Sequence, residues 1–287
     1  VAPIFVEQGL IQGQSMLRKS AILGAAATLA ALSAPAQAAW SGLNMTQGVT
    51  TLSGEIYSLH MLILWVCVVI AVFVFGWMIV SLVTFRKSQG AIADTKLVHS
   101  TKAEILWTII PALILVGMAV PAARTLIRIE DASGTEVTIK VTGYQWKWQY
   151  EYLDEGVSIF STLSRDSDAA RQLNSGVDPG TVSNYLLDVD HPLVIPVGKK
   201  VRLLITSQDV IHAWWVPALA MKKDAIPGVI NEMWFQVRPD QAGVYRGQCV
   251  ELCGRDHGFM PIVVDARSPQ DYATWIAAQK PPAPAAN

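Results

Sequence analysis

The chain is 287 residues long, with 22 lysines and arginines against 23 aspartates and glutamates, and 52% of its residues are hydrophobic. A net charge of −1 with no long lysine–arginine run excludes a nucleic-acid binder held by phosphate contacts. The apolar residues are bunched rather than spread, which excludes one uniform soluble domain.

Residues 1–38 read as an upstream extension followed by a cleaved signal peptide. Met16-Leu17-Arg18-Lys19 is a short positive stretch, AILGAAATLAAL (21–32) an apolar core, and Ala36-Gln37-Ala38 a small-residue cleavage pattern. The mature chain is therefore expected to begin at Ala39. As a membrane helix, 21–32 is too short for roughly 30 Å of hydrocarbon.

Residues 39–128 comprise an N-terminal segment and a two-helix transmembrane hairpin. HMLILWVCVVIAVFVFGWMIVSLVTF (60–85) contains no acidic residue, lysine or arginine, and ILWTIIPALILVGMAVPAARTLI (105–127) is apolar over most of its length. Each is long enough to span, and Pro111 and Pro121 are tolerable inside a membrane bundle. Between them, 86–104 holds Arg86, Lys87, Lys96 and Lys102 against Asp94 and Glu104. That basic connection is expected in the cytoplasm, placing both ends of the mature chain on the outer side. Cys67, inside the first span, reads as a small apolar side chain.

From 129 to 278 the pattern is that of an exported all-β domain. VTIKVTGYQWKWQYEY (137–152) reads as a half-buried strand turning aromatic, and LVIPVGKKVRLLITS (193–207) as two strands around Pro196-Val197-Gly198. FQVRP (235–239), GVYRGQCV (243–250) and MPIVVDA (260–266) follow, in a spacing that suggests a Greek-key sandwich or barrel. DYATWIAAQ (271–279) looks helical, 279–287 is expected to be a frayed tail, and serine-rich 154–180 a surface insertion. Over 129–200 eleven acidic residues face six basic ones, which suits a solvated face or a basic protein partner.

CVELCGRDHGFM (249–260) packs Cys249, Glu251, Cys253, His257 and Met260 into twelve positions. A Cys249–Cys253 disulfide leaves the histidine and methionine unexplained, and structural zinc seldom takes methionine. Copper suits thiolate, imidazole and a weak thioether together. With His212 as a second imidazole, one thiolate is in excess for a mononuclear site, whereas two bridging thiolates, a histidine on each metal, Met260 and a backbone carbonyl serve a copper pair. C-x-x-C-H is absent, so no covalent haem is expected.

This cluster, with DVIHAWWVPALAMKKDAIPG (209–228), GYQWKWQYEY (143–152) and AEILWTIIPA (103–112), closely resembles subunit II of haem-copper cytochrome c oxidases from about residue 50 to 278. The resemblance implies two membrane helices and a cupredoxin-like domain with a dinuclear copper A centre. His212, Cys249, the Glu251 carbonyl, Cys253, His257 and Met260 would be its ligands, and this sequence departs at none of the six. Glu251 would share a magnesium ion with a catalytic subunit I that carries haem and copper, and Asp224 would lie at that interface. Subunit III and lipid would also neighbour the chain in a bacterial cytoplasmic membrane, with the domain in the periplasm. Such a chain transfers electrons, while the oxidase around it reduces dioxygen and pumps protons.

Trp146 would be where an electron arrives from cytochrome c, with Asp188, Asp190 and Asp209 on an acidic docking rim and Trp148 as packing. Glu104 would mark a proton-path entrance, although an interfacial anchor fits the same position. Arg255 and Asp256 sit among the ligands, where pairing with a neighbouring group is expected although the sequence names no partner. A copper subunit of another respiratory complex, such as a nitric oxide reductase, or a membrane-tethered copper chaperone would share much of this pattern.

Overall fold

The computed structural model describes residues 44–92 and 99–280. The expected signal peptide, its cleavage site, Asp94, Lys96 and the tail from 281 lie outside the described residues.

Helix α1 (Thr51–Thr84) begins before the apolar run because Thr50 caps it: its hydroxyl accepts from Ser53 N while Ser53 Oγ accepts from Thr50 N. Helix α2 (Thr101–Glu130) contains both Pro111 and Pro121. At 34 and 30 residues, each exceeds the roughly 30 Å of a bilayer core at about 1.5 Å per residue. Large apolar side chains such as Trp65, Phe73, Trp77 and Leu113 stand exposed along them. Surfaces apolar all round demand lipid or protein, so these helices make the chain a membrane protein with a C-terminal soluble domain.

The domain pairs two five-stranded sheets. The first has the order β3 (Val157–Ser161), β2 (Lys147–Tyr152), β1 (Val137–Tyr144), β5 (Val201–Ser207), β8 (Asn231–Phe235). The second has the order β4 (Leu193–Pro196), β10 (Pro261–Arg267), β9 (Gly243–Cys249), β6 (His212–Val216), β7 (Met221–Ala225). The chain passes repeatedly from one sheet to the other, and β1–β5 and β4–β10 run parallel while the remaining pairs are antiparallel. This is the expected cupredoxin-like Greek key.

Alternation explains the core. Trp148, Tyr150 and Tyr152 point inward from β2, and Leu203 and Ile205 from β5, to meet Trp214, Ile262 and Val264. Trp214 stacks on Phe235 across the gap at 6.4 Å between ring centroids. The Tyr152 hydroxyl donates to Val194 O and accepts from Val194 N, so its buried polar end is satisfied while it ties the sheets together.

Several strand expectations change. The stretch 137–152 is two strands, not one, reversing at Gln145-Trp146. The alternation hides the reversal because both strands face one core. The strand expected at 235–239 lies earlier, at 231–235; within 209–228, His212 stands at a strand end (β6) as expected, while β7 was not anticipated. The region 154–180 is not all irregular: it holds β3, an edge strand on β2, and the short helix α3 (Arg165–Ala170). The C-terminal helix α4 (Pro269–Gln279) is where it was expected.

Residues before α1 also belong to the domain. Val49 N donates to Ala218 O, Thr51 N to Gln236 O, and Arg238 N to Val49 O. The Arg238 guanidinium holds the Thr50 and Gly48 carbonyls, and Leu52 is buried in the core. After α2, Lys200 Nζ donates to the Asp131 and Ser133 carbonyls at 2.7 Å each, and Trp234 Nε1 to Arg128 O.

Candidate metal centre

Strand pairing assembles the centre. Trp214 on β6 pairs with Cys249 at the end of β9, so His212 at the start of β6 comes beside that cysteine. The loop after β9 returns to β10, and Cys249 N donates to Met260 O at 3.1 Å, closing its base. A short 3-10 turn, His257–Phe259, carries the other histidine.

The two sulfurs stand 3.8 Å apart as free, buried thiols. His212 Nδ1 lies 4.0 Å from Cys249 Sγ, and His257 Nδ1 lies 3.5 Å from Cys253 Sγ. The Glu251 carbonyl is 3.4 Å from Cys249 Sγ, and Met260 is buried at the loop base. The donor atoms of His212, Cys249 and Cys253 lie within 4.8 Å of one another. Two thiolates flanked by an imidazole at each end are soft donors at copper-binding spacing.

The surroundings fix which nitrogen faces the sulfurs. Asp209 Oδ1 sits 2.9 Å from His212 Nε2, which places the proton there and leaves the Nδ1 lone pair for a metal. Burial raises the Asp209 carboxyl, but His212 and the Val210 and Gln145 amides pull it lower overall. Burial likewise pushes the Cys249 thiol up, and His212 with neighbouring backbone groups brings it down to about 7. Burial and then the Cys249 charge push Cys253 up to about 12. The pair thus accommodates one thiolate readily, and the second needs a cation.

Two family descriptions match the chain: cytochrome c oxidase subunit II, periplasmic domain, over 137–267, and the transmembrane domain of the same subunit over 38–124. A probable cytochrome c oxidase subunit 2 of Rickettsia felis is 42% identical over 225 residues, covering 78% of this chain and 68% of that protein. The chain belongs to the cytochrome c oxidase subunit II family. The cytochrome c oxidase subunit 2 of Arabidopsis thaliana is 38% identical over 238 residues, covering 83% of this chain and 89% of that one. The crystal structure of the periplasmic domain of subunit II of cytochrome oxidase from Bradyrhizobium japonicum is 38% identical, covers 52% of this chain and 96% of that chain, and has a TM-score of 0.43.

Within this subunit II fold, Trp146 is half-buried and its indole N–H donates to Cys253 O at 3.2 Å. Trp148 is fully buried and meets the His212 ring edge-on at 5.9 Å. Asp209, expected on a docking rim, has its carboxylate engaged by His212 and by Gln145 N at 2.7 Å. Asp188 pairs with Arg246 at 2.7 Å, and Asp190 accepts from Thr162. Asp224 lies on β7 opposite Ala213, next to the His212 strand position. Partly exposed Glu104 is in the first turn of α2, at the opposite end of that helix from the domain.

Two contributors escaped the sequence. Gln145 Nε2 donates to Cys253 O at 2.9 Å, a second donor on one carbonyl. Gly143 leaves room for the His212 ring: a Cβ there would stand 2.8 Å from His212 Cδ2. A glycine inside a strand was the available signal for the latter; Gln145 carried none.

Proposed function

We propose that this chain receives electrons from cytochrome c on the outer face of a bacterial cytoplasmic membrane and delivers them to haem in a catalytic subunit I. His212, Cys249, the Glu251 carbonyl, Cys253, His257 and Met260 would hold a dinuclear copper A centre. Bound copper would supply one-electron storage shared across two metals. The observation that carries this is the symmetric donor set: adjoining sulfurs with an imidazole Nδ1 at each outer side.

The chain's own groups support the rest. Trp146 links the surface to the ligand loop through one hydrogen bond to Cys253 O. Asp209 holds the His212 tautomer, and the closed loop base resists rearrangement as charge changes. Glu251 is exposed, available to share a magnesium ion with subunit I, and half-buried Asp224 would lie at the same interface. Subunit III would complete the membrane contacts of α1 and α2, and Glu104 would open a proton path.

Metal analysis with electron paramagnetic resonance on the purified complex is the test. Two coppers per chain and a seven-line hyperfine pattern are expected for an electron shared by two nuclei. A single copper with a four-line pattern would refute the shared centre.

A further inference from the structure

Helix α3 and its C-cap, Arg171, come from the region that the sequence leaves without a role, yet the fold brings them to the ligand loop. The Arg171 side chain is mostly buried, 22% exposed. Its Nε donates to Asp168 Oδ1 at 2.7 Å, which fixes the guanidinium plane from its own helix. Nη1 reaches Asp256 Oδ1 at 3.6 Å, and the guanidinium lies over the Phe259 ring, 4.4 Å from its centroid.

Those two contacts bracket the 3-10 turn. Asp256 is its N-cap and Phe259 its last residue, with Phe259 N donating to Asp256 O at 2.9 Å. His257 lies between them and Met260 follows directly. One planar cation therefore grips both ends of a segment that presents two of the site's side chains. A guanidinium can pair in its plane and stack on its face at once, whereas a lysine ammonium offers a point charge alone.

The opposite side of the loop is held differently. Gln145 and Trp146 both bond the Cys253 carbonyl, and exposed Arg255 sits over the Trp146 ring at 5.5 Å and 3.4 Å from Asp256. Between these two holds lies a small cavity of about 210 Å³, lined by Trp146, Thr162, Asp168, Arg171, Asp256 and Phe259. The Arg171 grip reaches the His257 turn from outside the ligand loop.

We infer that Arg171 is a positioning residue for the metal-ligand loop, clamping the His257 turn through Asp256 and Phe259. This rests on the copper reading for its functional meaning, but the clamp itself is a property of the loop. Without it, the turn opens more often, the cysteines behind it become reachable, and a bound metal escapes sooner. Loss of a cation close to the centre also disfavours the reduced form.

The test uses the full chain with Arg171→Ala, Arg171→Lys and, as a control on the same helix, Asp166→Asn. In metal-free protein, alkylation of Cys249 and Cys253 is followed by peptide mapping, with Cys67 as the internal reference. Arg171→Ala should react several-fold faster, Arg171→Lys should fall between it and the unsubstituted chain, and Asp166→Asn should match the latter. In the assembled complex, Arg171→Ala should release copper to a chelator about tenfold faster and lower the midpoint potential of the centre.

Equal alkylation rates for Arg171→Ala and Asp166→Asn, with an unmoved potential, would overturn the clamp. Full rescue by Arg171→Lys would also overturn it, because charge alone would then suffice. Should Arg171→Ala fail to fold, Asp256→Asn removes the same ion pair and is judged by the same two readouts. A complex without copper whose Arg171→Ala form still alkylates faster would uphold the clamp and overturn the metal reading instead.

Discussion

The indole N–H of Trp146 donates to the carbonyl of Cys253 at 3.2 Å, joining a partly exposed ring to the backbone of a cysteine in the candidate metal site. Phenylalanine keeps the ring and loses this bond. Trp146→Phe should cost about 1 kcal/mol of stability, the usual net worth of one hydrogen bond. Reduction by cytochrome c, followed by stopped-flow absorbance, should slow far beyond that cost while copper content stays normal. An unchanged rate would remove Trp146 from the route.

Asp209 was expected to meet a partner protein, but its carboxylate faces His212 Nε2. Asp209→Ala should weaken copper binding about 10- to 100-fold, the usual effect of losing the group that orients a ligating histidine. A competition titration with a copper chelator measures this. Intact copper affinity with a changed salt dependence of cytochrome c binding would restore the docking role.

Gly143→Ala is a sharper probe of the same histidine. The added Cβ would lie 2.8 Å from His212 Cδ2 and 3.1 Å from Cγ. Overpacking of this kind typically costs about 1–3 kcal/mol. The ring must move to relieve it, so copper content should fall while the far-ultraviolet circular dichroism of the domain persists.

High pH should undo the core before it disturbs the helices. Burial raises the Tyr150 and Tyr152 hydroxyls above their ordinary value, with only partial compensation from Trp214 and from the Val194 backbone. The folded chain keeps these protons where the unfolded chain releases them. Their contribution is therefore complete below about pH 10 and is lost as pH rises through the folded values, at about 1.4 kcal/mol per pH unit for each group. Denaturant midpoints at about pH 8 and about pH 11 should show the fall, and Tyr150→Phe should flatten it.

Glu104 sits partly exposed in the first turn of α2, with His99 Nδ1 3.9 Å away. Glu104→Ala should slow oxidase turnover with copper content unaltered. Oxygen-electrode rates indistinguishable from the unsubstituted complex would leave Glu104 as an interfacial anchor.

The ligand cluster was legible because most of it is local: twelve consecutive residues carry both cysteines, one histidine and the methionine. His212 was recoverable from 37 positions away because a cysteine, a histidine and a methionine together called for a second imidazole on copper. The reversal was not, since neither of its two residues, Gln145 and Trp146, is a glycine, proline, asparagine or aspartate. Strand β3 was hidden for a related reason: an edge strand beside one neighbour tolerates serine and exposed Phe160, so its pattern is faint. The role of Asp209 depends on a loop folding back against another turn, a contact spanning 64 positions to Gln145 that periodicity does not encode. Arg238 reaching Thr50 across 188 positions was equally invisible.

That last contact has a counterpart in Lys200, which secures the exit of α2 as Arg238 secures the approach to α1. A domain tethered by one strand of chain would swivel on the bilayer surface and sample many tilts. Fastened at both crossings, it has no free joint among the described residues between the lipid-facing helices and the sheets. The same two side chains thus limit how far the sheets, and the His257 turn they carry, can tilt relative to α1 and α2.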